Sequence, residues 1–117
     1  MNFEYLKENR TLSLKIEGEI DHHSCEQIKK EVDYEIQKYS PKKLIFDFKD
    51  VNFMDSSGIG LIIGRYKYLL RIGGKTEIIN ASKDVKRILD MSGIFKIIPI
   101  FEEVKAWIVL LKIHVSV

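Results

Sequence analysis

The stretch that decides the fold is residues 44–60, LIFDFKDVNFMDSSGIG. Its first part, residues 44–48, is a nearly continuous apolar run, which is typical of a strand buried in a parallel sheet. Residues 50–60 predict a turn that leads into a helix, whose apolar positions extend from Ile59 to Leu70. A buried strand followed directly by an amphipathic helix is the repeating unit of an α/β fold.

The alternation of strands and helices also extends toward the N-terminus. Residues 12–17 alternate between apolar and polar side chains, which predicts a half-buried strand. A polar turn at 7–10 would pair this strand with another at 3–6. Apolar residues then recur every three or four positions, which predicts a helix over about 22–39 with Asp21 as its N-cap.

Further strands and helices are predicted toward the C-terminus. A buried strand at 76–80 precedes a third helix, which begins after the cap residue Ser82 and stops at 92–93. A short strand at 94–98 and a last helix at about 102–111 follow. We therefore predict an α/β fold with a mixed, mostly parallel sheet, an N-terminal hairpin and about four helices packed on the sheet.

Composition predicts one compact domain over residues 1–117. We expect 113–117 to be a flexible tail, and we assign it no role. A chain of 117 residues, 45% of them apolar, is of ordinary domain size. The single Cys25 excludes an internal disulfide and a CxxC or zinc-ribbon site. Apolar runs are too short to cross a bilayer, and a net charge of +2 is too weak for a nucleic-acid footprint. We expect a cytoplasmic protein that has no cofactor and binds neither nucleic acid nor membrane.

Residues 54–60, MDSSGIG, are the candidate functional site. They connect a buried strand to a helix at the carboxyl edge of the sheet, where α/β proteins bind their ligands. One explanation is structural: Asp55, Ser56 or Ser57 caps the helix, and the glycines allow the neighbouring strand to approach closely. The spacing of the glycines matches neither a dinucleotide fingerprint, nor a P-loop, nor the G-x-S-x-G turn of hydrolases.

The other explanation for this site is a regulatory phosphoserine. A hydroxyl exposed at a helix N-terminus can accept a phosphoryl group of charge about −1.5 to −2, which the free N–H groups and the helix dipole tolerate. The added charge would change the surface that a partner meets. A switch of this kind needs no catalysis by the protein itself.

Three segments together resemble the STAS-domain anti-sigma factor antagonists, and among them those that act in sporulation. They are residues 54–60, residues 18–23 (GEIDHH) and residues 90–98 (DMSGIFKII). The resemblance implies that Ser56, with Ser57 as the alternative, is phosphorylated by an anti-sigma factor that is also an ATP-dependent serine kinase. The unphosphorylated form would bind this nucleotide-bound kinase and release the sigma factor, and a PP2C-type phosphatase would restore the serine. The protein would be a substrate and not an enzyme.

The same resemblance implies an acidic rim that meets basic residues of the partner. We expect the partner-binding residues to be Glu19, Asp21, Asp55, Ser56, Ser57, Gly58, Ile59 and Gly60. A purely capping role for Asp21 stays open. His22 and His23 are adjacent on a helix and point about 100° apart, so they do not make the one-faced pair that a metal needs. Two alternatives also stay open: a general-stress antagonist of the same family, and a small nucleotide-binding domain that uses the glycine-rich turn.

Overall fold

Five strands form one mixed sheet in the computed structural model, which describes residues 1–102. The strands are β1 (Asn2–Leu6), β2 (Thr11–Ile20), β3 (Lys43–Met54), β4 (Lys75–Ile79) and β5 (Ile100–Phe101). They lie side by side in chain order, with β1 antiparallel to β2 and the other neighbouring pairs parallel. The predicted hairpin and the mostly parallel sheet are confirmed.

Three α-helices within residues 1–102 connect the parallel strands: α1 (His22–Tyr39), α2 (Ser56–Arg71) and α3 (Lys83–Ser92). Right-handed crossovers that all advance in one direction across a sheet place their helices on one face. The predicted bounds of the first helix are confirmed, as is the Ser82 cap of α3, whose hydroxyl accepts the Val85 N–H at 3.2 Å. The predicted last helix and the tail at 113–117 lie outside the described residues.

The core lies between the sheet and these helices. The predicted alternation in β2 is confirmed, because Leu12, Leu14 and Ile16 are fully buried. The predicted apolar stripe of α1 is confirmed as well, and its buried members are Cys25, Ile28, Val32 and Ile36. Burial of each large apolar side chain contributes about 1.5–3 kcal/mol to folding stability. The core between the sheet and the helices therefore stabilises the edge of the sheet that carries the candidate site.

The predicted turn at 50–60 is wrong in its first half, because β3 continues to Met54. Met54 pairs with Ile20 at the end of β2, and register shifts interrupt the pairing of the two strands before that point. Such bulges disturb the alternation of buried and exposed side chains. Within the part of β3 that follows Phe48, only Val51 and Met54 are buried. Their spacing of three residues does not match the period of two that predicts a strand.

The predicted strand at 94–98 is also wrong. The chain forms a 3₁₀ turn over Ile94–Lys96, and the short strand β5 comes only after Pro99. Ile94 and Ile98 are both buried, and the Ile98 N–H donates to the Ile94 carbonyl at 2.9 Å. A strand over the same residues would place Lys96 on the face of the two isoleucines and would bury its charge.

The apolar face predicted for α2 needs one correction. The helix packs its residues Gly58, Leu61, Ile62 and Leu69 into the core. Leu70, which the spacing assigns to the buried face, is 57% exposed. Adjacent helical positions point about 100° apart, so Leu69 and Leu70 do not share one face. Leu70 therefore belongs to the surface.

Candidate functional site

Two strand ends lie next to each other at the carboxyl edge of the sheet, and each leads directly into a helix. Ile20 ends β2 opposite Met54, which ends β3. The Asp55 N–H donates to the Ile20 carbonyl at 3.2 Å, so the two strands stay paired past the last residue of β3. Asp21 and Asp55 therefore occupy equivalent positions on neighbouring strands, immediately before α1 and α2.

Asp55 is the N-cap of α2, which decides among the three cap residues that the sequence allowed. Its backbone is extended (φ −114°, ψ −170°), and its Oδ1 accepts the Ser57 N–H at 2.8 Å. Ser56 is the first residue of the helix and is exposed. Its hydroxyl makes no hydrogen bond to any residue in the described range 1–102. The fold therefore leaves this oxygen available for chemistry.

Asp21 caps α1, as the sequence predicts, and it does so within a complete capping box. Asp21 Oδ1 accepts the Ser24 N–H at 2.9 Å, and the Asp21 N–H donates to Ser24 Oγ at 3.0 Å. The Ser24 hydroxyl in turn donates to the Glu19 carbonyl at 2.9 Å. The hydrogen bond from the Ser24 backbone is the main cause that lowers the pKa of the Asp21 carboxyl.

The two glycines of the site have different surroundings. A Cβ on Gly58 would lie 2.6 Å from Met54 Cγ and 3.1 Å from Ile20 Cγ2, so only glycine fits between α2 and the sheet. A Cβ on Gly60 would meet no atom within 4 Å. The predicted close approach is therefore confirmed for Gly58 and wrong for Gly60. Gly58 therefore packs against core side chains of the protein itself.

Cys25 connects the first turns of the two helices. It is buried, and its Sγ lies 3.2 Å from the Ser57 carbonyl, to which the thiol donates. Burial is the main cause that raises the pKa of this thiol, which favours the protonated donor form. The prediction that Cys25 packs as a small apolar residue is confirmed.

All predicted partner-binding residues except Gly58 are at least partly exposed on this edge. Glu19, Ser56 and Gly60 are exposed, and the remaining members are half-buried: Asp21, Asp55, Ser57 and Ile59. His22 and His23 are exposed in the first turn of α1, and residues 1–102 contain no group of side chains arranged to hold a metal ion. Within the same residues, no helix combines the length and the apolar character needed to cross a membrane.

Sequence reasoning assigned no role to Phe53, which is 48% exposed beside the site. It lies in the last part of β3 opposite Glu19. A large aromatic side chain that projects into solvent next to an exposed serine is a candidate contact for a partner. Its position between the buried residues Val51 and Met54 could have indicated an exposed side chain. That inference requires β3 to extend to Met54, which the sequence did not predict.

The fold and the site define a class of small α/β domains with an exposed serine at a strand-to-helix junction. The family model described as the STAS domain matches residues 2–106. The chain therefore belongs to the STAS-domain family.

Within that family, the relatives are antagonists of anti-sigma factors. An anti-sigma F factor antagonist of Paenibacillus polymyxa is 40% identical over 91 residues, which cover 78% of each chain. An anti-sigma-B factor antagonist of Bacillus subtilis is 27% identical over 100 residues, which cover 86% of this chain and 90% of the relative.

Solved structures agree with these relatives. The anti-sigma factor antagonist SpoIIAA in its unphosphorylated form is 31% identical, with a TM-score of 0.76 and coverage of 90% of both chains. The Bacillus cell fate determinant SpoIIAA in its phosphorylated form is 29% identical, with a TM-score of 0.67. That alignment covers 93% of this chain and 99% of the other.

Proposed function

We propose that this protein is an anti-sigma factor antagonist that is switched by phosphorylation of Ser56. Its unphosphorylated form binds an anti-sigma factor and releases the sigma factor, and the phosphorylated form does not bind. The relative at 40% identity is named an anti-sigma F factor antagonist, and SpoIIAA is named in both an unphosphorylated and a phosphorylated form. The lower identity of 27% to the anti-sigma-B factor antagonist favours the sigma F system over the general-stress system.

The observation that carries the proposal is the environment of the Ser56 hydroxyl. Asp55 supplies the cap of α2, so transfer of a phosphoryl group to Ser56 breaks no hydrogen bond among the described residues. The phosphate then lies at a helix N-terminus, where a negative charge is stabilised by about 0.3–1 kcal/mol. Ser57 is the weaker acceptor, because it is half-buried in the second position of the helix.

The switch acts through charge at the interface. A serine kinase must bring the Ser56 hydroxyl against the terminal phosphate of its nucleotide before transfer. Once Ser56 carries a phosphate of about −1.5 to −2, it faces the phosphates of a bound nucleotide. At about 4 Å and an effective dielectric constant of about 20, each pair of unit charges repels by about 4 kcal/mol. A third of that repulsion weakens binding about tenfold.

The remaining site residues contact the partner around this serine. Glu19, Asp21 and Asp55 form an acidic rim for basic side chains of the anti-sigma kinase. Ile59 and Gly60 continue the surface along α2, where the open space at Gly60 lets the partner approach the helix backbone. Gly58 acts only through the shape of the junction. A PP2C-type phosphatase restores the free serine, so the protein is a substrate of two cytoplasmic enzymes and not itself an enzyme.

The phosphate acceptor is tested by incubation of the protein with the anti-sigma kinase and ATP. We expect one added phosphate, a mass increase of about 80 Da, and peptide mapping that places it on Ser56. Ser57→Ala is the matched control and should still gain one phosphate, whereas Ser56→Ala should gain none. A phosphate on Ser57 contradicts the assignment.

Binding is tested separately by calorimetric titration of the nucleotide-bound anti-sigma factor. Wild type and Ser56→Ala should bind alike, and Ser56→Asp and the phosphorylated protein should bind at least about tenfold more weakly. The same titration with an anti-sigma factor of the general-stress system distinguishes the two pathways. Equal affinity of phosphorylated and unphosphorylated protein would disprove the switch.

A further inference from the structure

An apolar groove lies at the opposite end of α2 from Ser56, between that helix and the first residues of β4. Its cavity of about 210 Å³ is lined by Tyr66, Leu70, Gly74, Lys75, Thr76, Glu77, Ile97 and Pro99. Two large apolar side chains on its walls are open to solvent, since Leu70 is 57% and Ile97 50% exposed. Exposed apolar side chains that line one groove are candidate contacts for a partner.

Thr76 is an unsatisfied polar residue in this groove. The residue is only 7% exposed, and its Oγ1 is buried without a hydrogen-bond partner among the described residues. Buried hydroxyl groups in proteins nearly always have a partner, and an unpaired one destabilises the fold. A ligand that supplies a donor or an acceptor, once the Thr76 side chain turns toward the groove, would remove that cost.

Among residues 1–102, β5 covers only part of the edge of β4. β5 pairs only with Ile78 and Ile79, through hydrogen bonds such as that from the Ile78 N–H to the Pro99 carbonyl at 3.0 Å. Alternate residues of a parallel strand direct their N–H and C=O groups to opposite neighbours. The backbone groups of Thr76 therefore point to the same side as those of Ile78, at a position that the two-residue strand β5 does not reach. An edge that the described residues cover only in part can accept an extended peptide.

The charge around the groove is positive. Lys75 lines the groove, and Lys67 and Lys96 follow or precede its lining residues Tyr66 and Ile97 in the chain. None of these three exposed lysines forms an ion pair with another residue in the range 1–102. The one carboxylate of the lining, that of Glu77, is neutralised by Lys43 at 3.2 Å. This end of the domain thus contrasts with the acidic rim at the Ser56 end. A ligand with carboxylates complements it.

We propose that this groove binds an extended acidic segment of a partner protein, which adds to the edge of β4 beside Thr76 and inserts an apolar side chain between Leu70 and Ile97. The site goes beyond the proposed switch. It lies about 20 Å along α2 from Ser56, given a rise of 1.5 Å per residue. A phosphate at Ser56 is farther from it than the screening length in physiological salt, which is about 8 Å. The segment therefore binds both phosphorylation states alike.

The test uses the full-length protein and a blocked, fluorescein-labelled peptide of sequence Asp-Val-Glu-Ile-Glu-Val-Asp. Nuclear magnetic resonance spectra of ¹⁵N-labelled protein should show saturable shifts of the Thr76 and Ile97 amides below about 1 mM peptide. In fluorescence anisotropy, Leu70→Glu should weaken binding at least about tenfold. The matched control Leu6→Glu changes a leucine that is 37% exposed on β1 and should leave the affinity unchanged.

Two more variants separate this site from a structural effect and from the switch. Thr76→Val removes the unpaired hydroxyl, so it should weaken peptide binding about two- to tenfold without lowering the melting temperature. Ser56→Asp should bind the peptide like the wild type whether or not Ser56 controls the anti-sigma factor. The absence of amide shifts up to about 1 mM, or equal affinity of wild type and Leu70→Glu, would overturn the proposal.

Other occupants of the groove give different results. A second copy of the chain would produce a concentration-dependent dimer in sedimentation velocity that Leu70→Glu abolishes. Occupancy by residues 103–117 of the same chain would appear as a change in the emission of Trp107, the single tryptophan, when Leu70→Glu is introduced. Either result would replace the partner segment and overturn the proposal.

Discussion

The first turns of α1 and α2 begin in the same way and are completed differently. Asp21 and Asp55 both follow a strand directly, and both cap their helix from an extended backbone, with φ of −122° and −114°. Three residues later, α1 has Ser24, whose hydroxyl closes a capping box, whereas α2 has Gly58, which has no side chain to offer. At α2, the backbone N–H of the cap residue bonds instead to the neighbouring strand.

This difference separates a helix end whose serine has a structural role from one whose first serine has no hydrogen-bond partner among residues 1–102. At α1, the serine of the first turn makes hydrogen bonds with Asp21 and with the Glu19 carbonyl, so its hydroxyl is committed to the fold. At α2, the close contact of Gly58 with Met54 and the cap by Asp55 hold the helix end without Ser56. A hydroxyl that contributes nothing to the fold can be modified without unfolding the domain.

The largest expected effect comes from a side chain at Gly58. Gly58→Ala places a methyl group 2.6 Å from Met54 Cγ and should reduce the free energy of unfolding by about 1–3 kcal/mol, the usual cost of overpacking. Urea denaturation followed by circular dichroism measures the change. Gly60→Ala is the matched control, because its methyl group meets open space; it should raise stability by about 0.5–1 kcal/mol through helix propensity. If Gly58→Ala left the free energy of unfolding unchanged, Met54 would be able to move aside. The absence of a capping box at α2 would then have another cause.

The second largest effect should come from the cap of α2. Asp55→Ala removes the acceptor of the Ser57 N–H and should cost about 1 kcal/mol in the free energy of unfolding. Asp55→Asn keeps an acceptor oxygen and should recover most of this loss, and urea denaturation of the two variants gives the comparison. If Asp55→Ala is as stable as the wild type while Ser56→Ala is not, the serine and not the aspartate caps the helix in solution.

Sequence patterns predicted what depends on periodicity and failed where the backbone breaks it. The buried stripe of α1 and the alternation in β2 were readable because their spacing is regular. The second half of β3 was not, because bulges in its pairing with β2 remove the alternation. At the site, the residue types narrowed the cap to Asp55, Ser56 or Ser57. The choice depends on which oxygen reaches a backbone N–H, and the spacing does not contain that distance.

A smaller effect is expected from acid at the α1 end. The hydrogen bonds of the capping box lower the pKa of Asp21 below its unfolded value of 3.8. Ionised Asp21 therefore stabilises the fold above about pH 4, and this contribution is lost as the pH falls through the lowered pKa. Asp21→Asn should be less stable than the wild type at neutral pH, and the difference in urea midpoint should shrink below about pH 4. A difference that stays constant with pH would show that Asp21 acts as a neutral acceptor only.

The smallest change in stability should come from Ser56→Ala, and this makes it the sharpest test of the comparison. Ser24→Ala breaks the capping box of α1 and should cost about 0.5–1.5 kcal/mol in the free energy of unfolding. Ser56→Ala removes a hydroxyl with no partner in residues 1–102, so its free energy of unfolding should stay within about 0.5 kcal/mol of the wild type. Urea denaturation of both variants under identical conditions measures the pair. A loss at Ser56 as large as that at Ser24 would mean that the hydroxyl supports the helix end. Phosphorylation would then loosen the first turn of α2 as well as add charge, and the switch would be a change of shape and not of charge alone.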